Sequence, residues 1–251
     1  PQSGGVAAQP MTGEAICGAR WLGRMEYLEA WCLQRALAEE RALGLTHDVL
    51  LLLEHPPTYT VGRSGDENAF LTLPAVLEAM GAAVHHVDRG GGVTFHGPGQ
   101  LVGYPIIDLS AWRQDVHAYL RALEEVLIAT LADFGLAAEG KPGYTGVWVG
   151  DEKIGAIGVK VSLWVTTHGF ALNVTCDLDW FRHIVSCGLR GKGITSLEQA
   201  GGIRPPLPAV AERVAEQFGR VFGRRMVWLP PRGTNQPPAE VLAAAALPSQ
   251  A

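Results

Sequence analysis

Four cysteines are the candidate nucleophiles of this 251-residue chain: Cys17, Cys32, Cys176 and Cys187. They form no C-x-x-C pair and are too few for a disulfide framework in a chain of this size, so we expect free thiols. A cysteine among apolar residues usually packs as an inert small hydrophobe. Cys187 differs in context, because it lies in a glycine-rich loop after a short predicted helix. A chemical role therefore competes with simple packing at Cys187.

Lysine is the second residue type that could do chemistry. Only four of the 20 basic residues are lysines, and all four lie between positions 141 and 192. A lysine, unlike an arginine, can lose its proton under mild perturbation and then act as a base. Lys153 follows Asp151-Glu152, where a solvated turn lysine is the ordinary interpretation, and Lys160 is as plausible by chemistry alone. The residues by themselves leave the choice open.

A glycine-rich segment, residues 88–108, could bring backbone close to a ligand. It reads Asp88-Arg-Gly-Gly-Gly-Val-Thr-Phe-His-Gly-Pro-Gly-Gln-Leu-Val-Gly-Tyr-Pro-Ile-Ile-Asp108. Glycine allows such an approach where any Cβ would collide, although a hairpin with glycines in its turns is an equal alternative. No Gly-Lys-Ser/Thr follows, and the next residues are strand-like rather than helical, which excludes a P-loop and a dinucleotide fingerprint.

His96 and His168 are each followed by glycine and are the remaining candidates for a site. No His or Cys pair in the chain has the spacing of metal ligands, so we predict no metal site.

The hydrophobic pattern predicts the elements that must position these residues. The predicted helices are 25–43, 74–80, 115–134, 177–185 and 208–222. The predicted strands are 14–22, 48–53, 58–61, 83–87, 101–109 and 225–229, with two or three more within 146–174. Because many connections between strands are hairpins, we expect an α+β fold with a mixed, mostly antiparallel sheet packed with helices.

Composition limits the class of protein. With 47% hydrophobic and 18% charged residues, the chain can bury a substantial core. We divide it into an N-terminal extension (1–13), one domain (14–229) and a Pro/Ala-rich tail (230–251). A formal charge of -5 argues against a general nucleic-acid binder. No apolar run approaches ~20 residues and the N-terminus lacks a signal pattern, so we expect a cytoplasmic protein that does not bind a membrane.

Three ordered motifs carry a resemblance to a known family. They are Arg89-Gly-Gly-Gly-Val-Thr-Phe-His-Gly-Pro-Gly-Gln-Leu-Val-Gly-Tyr104, then Lys153-Ile-Gly-Ala-Ile-Gly158 with Thr167-His-Gly-Phe-Ala-Leu-Asn173, then Ile184-Val-Ser-Cys-Gly188 with Ile194-Thr-Ser-Leu197. Together they resemble the lipoyl(octanoyl) transferases over about residues 14–229. The resemblance implies the catalytic fold of biotin and lipoate protein ligases, and it makes 14–229 the acyltransferase domain.

The resemblance also implies an activity. The family moves an octanoyl or lipoyl group from the thioester of acyl carrier protein to a lysine of a lipoyl domain, in the E2 subunits of 2-oxoacid dehydrogenases and in the glycine cleavage H protein. The acyl group passes through a thioester on an enzyme cysteine, and no cofactor is needed. By position the nucleophile is Cys187 and its paired lysine is Lys153. We expect a monomer.

The implied acyl pocket is built from small and apolar residues, with backbone N–H groups available as an oxyanion hole. Thr94, Phe95 and Ile157 would line it, and His96 and His168 would stand near the acyl carbonyl. The full predicted set is Arg89, Gly90, Gly91, Gly92, Val93, Thr94, Phe95, His96, Ala156, Ile157, Gly158, His168, Gly169, Phe170 and Ala171. The chain departs from the family at Ser186, where proline is usual, and at Gly92, where a polar residue is frequent.

The chemistry of such a pair is intelligible. Turning a thioester into an amide is downhill, and a thiol both attacks a thioester and leaves again. A free thiol with a pKa of about 8.5 is mostly protonated at neutral pH, but an ammonium ~4 Å away at an effective dielectric near 20 contributes on the order of 4 kcal/mol toward the thiolate.

Two alternative functions remain open: an ATP-dependent lipoate or biotin ligase of the same fold, and a non-catalytic module that binds acyl carriers or lipoyl domains.

Overall fold

The computed structural model describes residues 15–185 and 192–230. Its α-helices are α1 (Tyr27–Ala42), α2 (Pro74–Ala79), α3 (Val116–Asp133), α4 (Leu197–Gly201) and α5 (Leu207–Phe222). Its strands are β1 (Ile16–Arg24), β2 (Asp48–Glu54), β3 (Thr58–Val61), β4 (Ala83–His86), β5 (Val93–His96), β6 (Gln100–Ile106), β7 (Glu139–Lys141), β8 (Tyr144–Val149), β9 (Glu152–Ser162), β10 (Val165–Asn173), β11 (Gly193–Ile194) and β12 (Arg225–Trp228). The predicted N-terminal extension and, beyond Pro230, the predicted tail lie outside the described residues.

Two sheets organise these strands. The larger has the order β12-β1-β2-β6-β10-β9-β8-β7, with β11 beside β9, and the smaller has the order β4-β3-β5. In the larger sheet β1 is parallel to β12 and β2, and β11 is parallel to β9, whereas the other pairs are antiparallel. The predicted α+β class with a mostly antiparallel sheet is confirmed.

The larger sheet is covered on both faces, and β2 shows why its sequence is apolar throughout. Leu50 and Leu52 enter the core under α3 and α5, while Leu51 and Leu53 enter the core under α1. Successive side chains of a strand point to opposite faces, so a central strand with two buried faces reads as a continuous apolar run. We call these the α3/α5 face and the α1 face.

Local capping signals set the ends of the longest helix. The Asp115 side chain accepts a hydrogen bond from the Ala118 N–H (3.0 Å) at the start of α3. Beyond its other end Gly135 has φ +78°, a conformation that favours glycine. The predicted bounds of 115–134 therefore agree with α3 to within a residue at each end.

Several predicted elements differ from the structure. Residues 146–174 do contain three strands, as the alternating pattern allowed, but the predicted helix 177–185 is a 3-10 segment, Leu178–His183. The short β5, β7, β11 and α4 were not predicted, because two to five residues are too few to show a period. Within the described ranges, no helix has the length and apolar character needed to span a bilayer.

The glycine-rich segment does not form the hairpin that was its alternative interpretation. Strand β5 pairs with β3 in the smaller sheet, whereas β6 pairs with β2 and β10 in the larger sheet. The hairpin interpretation is wrong, because consecutive strands here belong to different sheets. The segment instead joins the two sheets, and the space between them becomes the candidate site.

Candidate active site

A pocket of about 320 Å³ lies on the α1 face of the larger sheet. Strands β6, β9 and β10 form its floor, and Arg89 with residues 91–94 and 143–145 supply walls. Among the predicted site residues, those that line it are Arg89, Gly91, Gly92, Val93, Thr94, His96, Lys153, Ala156, Ile157, Gly158, His168, Gly169, Phe170 and Ala171. Its volume is within the usual range for small-ligand pockets.

Small residues on two neighbouring strands leave this space open. Ala156 pairs with Ala171 and Gly158 pairs with Gly169 across β9 and β10. A Cβ on Gly158 would lie 2.9 Å from the Gly90 carbonyl oxygen, so glycine is needed there for the loop to approach the sheet. The Gly90 N–H donates to the Val159 carbonyl (2.9 Å), which fixes the loop in place.

The Arg89 side chain connects the glycine-rich loop to strand β3 through hydrogen bonds. Its side chain is buried, and Nη2 donates to both the carbonyl oxygen (2.8 Å) and Oγ1 (2.7 Å) of Thr60 in β3. Nη1 donates to the carbonyl oxygen of Gly90 (3.0 Å). These charge-assisted bonds tie the loop to the smaller sheet, so Arg89 shapes the pocket wall as well as lining it.

His96 is a neutral wall residue with an assignable tautomer. Gln100 Nε2 donates to Asn173 Oδ1 (3.0 Å) and to the Phe95 carbonyl (3.1 Å), which leaves Gln100 Oε1 to accept from His96 Nδ1 (2.8 Å). Burial lowers the pKa of His96 to about 3, so the ring carries no charge at neutral pH. Its proton is therefore on Nδ1.

His168 is held in an unusual backbone conformation, with φ +58°. Its N–H donates to Gln34 Oε1 (2.7 Å), and its ring Nε2 lies 2.8 Å from Asp88 Oδ1. Burial lowers the pKa of His168 while hydrogen bonding to Asp88 opposes the shift. Lys160 and His168 hold the pKa of Asp88 below its usual value against desolvation, so Asp88 is the ionised acceptor and His168 the donor.

A β-bulge presents Lys153 to the pocket. Val147 pairs with Gly155 and Trp148 pairs with Lys153, so Ile154 is an extra residue on β9. Ile154 is buried in the core on the α3/α5 face. A bulge can re-aim the side chains of a strand in this way.

The bulge decides which face Lys153 occupies. Gly155 and Ile157 pair with Leu172 and Phe170, which belong to the core on the α3/α5 face. With strict alternation Lys153 would lie on the α3/α5 face too. The extra residue, Ile154, instead places Lys153 on the α1 face, the face that Ala156 occupies. Its Nζ lies 5.3 Å from the centre of the Trp148 ring, and Lys153 lines the pocket at one end of β9.

Lys160 is placed differently from Lys153. It lies seven residues further along β9, roughly 23 Å at about 3.3 Å per residue. Its Nζ donates to Asp88 Oδ2 (2.6 Å), and it is not among the lining residues of the pocket. Of the two lysines left open by their chemistry, only Lys153 lies at the pocket.

Two predicted pocket residues are not lining residues. Gly90 faces the edge of β9. Phe95 is 1% exposed in the core of the smaller sheet, where its ring stacks on Trp180 at 5.4 Å between centroids and 5° between planes. The expectation that Phe95 lines the acyl pocket is wrong, because β5 turns this side chain toward the 3-10 segment rather than toward β9.

Cys187 and Ser186 lie outside the described residues. The described chain reaches Val185, whose N–H donates to the Ala69 carbonyl (2.7 Å), and later Ile194, which pairs with Lys153 between β11 and β9. The described chain thus resumes at residue 192, directly before the strand that pairs with Lys153.

Sequence reasoning missed several wall residues. Those that line the pocket without having been predicted include Tyr27, Gln100, Tyr104, Tyr144, Asn173 and Phe181. Gln100, Tyr104 and Asn173 fall inside the quoted motifs and could have been included on that ground. Tyr27 begins a helix far from those motifs in the sequence, so only the tertiary structure places it at the pocket.

Comparison with known proteins identifies the family and the fold of this chain. Residues 26–219 match the family model described as the lipoyl protein ligase A/B catalytic domain. Octanoyltransferases of Solibacter usitatus (51% identical, 84% of this chain and 95% of the relative) and Rubrobacter xylanophilus (52%, 80% and 91%) are close in sequence. A bipartite lipoate protein ligase structure from Thermoplasma acidophilum shares the fold, with TM-score 0.65 and 16% identity over 92% of this chain and 91% of that one. The resemblance seen in the three motifs is therefore confirmed, and the chain belongs to the lipoyl protein ligase A/B catalytic domain family.

Proposed function

We propose that this protein transfers an octanoyl group from the thioester of an acyl carrier protein to a lysine of a lipoyl domain, through a thioester on Cys187. The activity is octanoyl transfer in protein lipoylation, as in the octanoyltransferases that it matches over most of its length. The observation that carries the mechanism is the placement of Lys153, which a β-bulge directs to one end of a pocket floored by small residues.

The pocket suits an eight-carbon chain. Lys153 and Gly158, both lining residues, are five positions apart on β9, roughly 16 Å at about 3.3 Å per residue. An extended octanoyl group measures on the order of 10 Å with C–C bonds of about 1.5 Å. The acyl chain would run along Ala156 and Ala171, with its carbonyl near Lys153.

The first half-reaction would form the acyl-enzyme. The Cys187 thiolate attacks the carbonyl carbon of the carrier thioester, a new C–S bond forms, and the bond to the pantetheine sulfur breaks. The Lys153 ammonium stabilises the Cys187 thiolate beforehand and gives its proton to the departing sulfur. Lys153 is neutral at the end of this step.

The second half-reaction would form the amide. The amine of the lipoyl-domain lysine attacks the Cys187 thioester, the C–N bond forms, and the C–S bond breaks. Lys153 takes the proton that the amine must lose, and the Cys187 thiolate is restored. The pair returns to its starting charges without a nucleotide.

The partners follow from this reaction. An acyl donor and a lipoyl-domain acceptor are required, and we propose octanoyl-acyl carrier protein as the donor. The acceptors would be E2 lipoyl domains and the glycine cleavage H protein. A monomeric enzyme acting in the cytoplasm stays a prediction.

The test is to mix the protein with octanoyl-acyl carrier protein without ATP and to measure its intact mass. We expect a single octanoyl adduct that hydroxylamine removes, and transfer of that octanoyl group to an added lipoyl domain. Cys187→Ser should abolish the adduct, whereas Cys32→Ser, which changes an exposed thiol on α1, should keep it.

Other outcomes would favour the alternatives. Transfer that begins only when ATP and free octanoate are supplied would indicate a ligase, and tight binding without transfer would indicate a non-catalytic module. A labile adduct that persists in folded Cys187→Ser would assign the acyl group to another residue.

A further inference from the structure

Glu124 is a buried carboxylate in α3 that the proposed mechanism does not use. It is 3% exposed, and its Oε1 accepts a hydrogen bond from the Gly146 N–H in β8 (2.9 Å). Oε2 contacts Arg121 and would lie 3.2 Å from a Cβ on Gly140, so the group is enclosed by β7 and β8. Burying a charged group costs free energy unless the group is paired and hydrogen-bonded, so the hydrogen bond from Gly146 helps to stabilise Glu124 in this position.

Gly146, which donates this hydrogen bond to Glu124, lies against the Lys153 side chain. Gly146 has φ +127°, and a Cβ built there would be 2.5 Å from Lys153 Cε and 3.1 Å from Nζ. The aliphatic end of Lys153 therefore rests on the bare Cα of Gly146. The same Cβ would lie 2.6 Å from the Gly155 carbonyl oxygen, so Gly146 also faces the bulge that re-aims Lys153.

We infer that Glu124 is a positioning residue for Lys153. Its carboxylate holds the Gly146 backbone from the core side, and Gly146 supports the lysine from below on the pocket side. This inference rests on the proposed function, in which Lys153 is the acid and base. The geometry of a catalytic group matters at the ångström level, where a displacement of about 1 Å can cost on the order of 100-fold in rate.

Two substitutions separate the hydrogen bond from the charge. Glu124→Gln keeps an oxygen that can accept from the Gly146 N–H, whereas Glu124→Met fills a similar volume and leaves that N–H without its acceptor. We expect Glu124→Met to slow octanoyl transfer at least ten-fold per folded molecule, with the KM for the carrier changed less than two-fold. Glu124→Gln should stay within about three-fold of wild type. The matched control is Glu125→Met, the exposed neighbour on the same helix.

A second pair of variants keeps the test valid if Glu124→Met does not fold. Gly146→Ala places a methyl group against Lys153, and we expect the same loss in kcat. Gly150→Ala, in the turn of the same hairpin, also adds a Cβ at positive φ (+56°) but meets nothing within 4 Å. It should lower stability without lowering the rate per folded molecule.

Several outcomes would overturn the inference. If folded Glu124→Met and Gly146→Ala turn over like wild type while Lys153→Met is inactive, Glu124 is only a structural residue and the proposed function stands. If Glu124→Gln is as slow as Glu124→Met, the charge matters rather than the hydrogen bond. If Lys153→Met turns over normally, the proposed role of Lys153 itself fails.

Discussion

Lys153 and Lys160 lie on one strand, but their surroundings give them different chemistry. Lys160 is bound to Asp88, which also accepts from His168, so its ammonium serves a fixed ion pair. Lys153 instead rests on Gly146 and the Trp148 ring at the pocket. Of these two lysines only Lys153 lines the pocket, which is why the proposed function assigns the acid and base role to it.

Lys153→Arg should separate charge from proton transfer. Arginine keeps the positive charge near the pocket but does not give up its proton. We expect some octanoyl adduct on Cys187 still to form, because the pantetheine sulfur can leave as a thiolate when no proton is supplied. Transfer to the lipoyl domain should fall at least about 100-fold, since the amine must lose a proton and general acid–base catalysis is worth 10²–10⁴. Intact mass of the acyl-enzyme and the rate of lipoyl-domain octanoylation measure the two steps.

The matched control for this experiment is Lys160→Arg, in which the ion pair with Asp88 can persist. It should keep turnover within a few-fold of wild type. An inactive Lys160→Arg beside a normal Lys153→Arg would mean that the catalytic lysine is Lys160.

At the scale of elements, the pocket exists because strands of two sheets meet around a glycine loop. Strands β9 and β10 offer small residues on the α1 face, and β5 supplies Thr94 and His96 as a wall. Phe95, between them on β5, points the other way and packs on Trp180. Alternation along one short strand thus divides its residues between the pocket and the core of the smaller sheet.

Because Phe95 packs in the core and Ala156 lines the pocket, one substitution should affect stability and the other the preferred acyl length. Phe95→Leu should lower the free energy of unfolding by about 1–2 kcal/mol through lost packing and stacking, without changing the preferred acyl length. Ala156→Val should leave stability nearly unchanged but shift the preference toward shorter acyl chains, because it narrows the pocket floor. Urea unfolding and competition among hexanoyl, octanoyl and decanoyl carriers measure the two effects. A changed acyl-length preference in Phe95→Leu would show that Phe95 contacts the acyl chain after all.

At the scale of the whole molecule, two buried histidines, His55 behind the pocket and His96 in its wall, are neutral at neutral pH. His55 Nδ1 lies 2.7 Å from the Met25 carbonyl and Nε2 lies 2.8 Å from the Tyr104 hydroxyl, so His55 donates to the first and accepts from the second. Burial lowers the pKa of His55 to about 4 and that of His96 to about 3. These rings connect α1, β2, β5 and β6, so their protonation affects the whole fold.

Stability should therefore fall as the pH is lowered from about 6.5 to about 4. In that window the unfolded chain binds protons on His55 and His96 while the native state does not, so protonation favours unfolding. The stability is fully present above about 6.5, and for His55 the loss approaches about 3 kcal/mol near pH 4 at 1.36 kcal/mol per pKa unit. Urea unfolding at pH 8, 6 and 4.5 tests the slope.

The variant His55→Asn should flatten this pH dependence, whereas His47→Asn, which changes an exposed histidine, should keep the wild-type slope. An unchanged slope in His55→Asn would show that other groups control the acid sensitivity.

Hydrophobic periodicity alone predicted the main helices and strands, and the three motifs alone predicted the family. Those features are local, since a helix needs only a period near 3.6 and a motif needs only its neighbours. The family resemblance carried by the motifs also implied a common pocket for Ala156, Gly158, Gly169 and Ala171.

The tertiary structure decided what depends on partners distant in the chain. The period of a strand is two, so a single extra residue such as Ile154 reverses the faces of everything before it, and no local pattern marks it. Glu124 reads in sequence as one more charged residue of an amphipathic helix, and only the packing of α3 against β8 reveals its contact with Gly146. Phe95 was misplaced for the same reason: the partner of β5 is β3, and the pairing of strands across two sheets is a nonlocal choice fixed by the core they bury together.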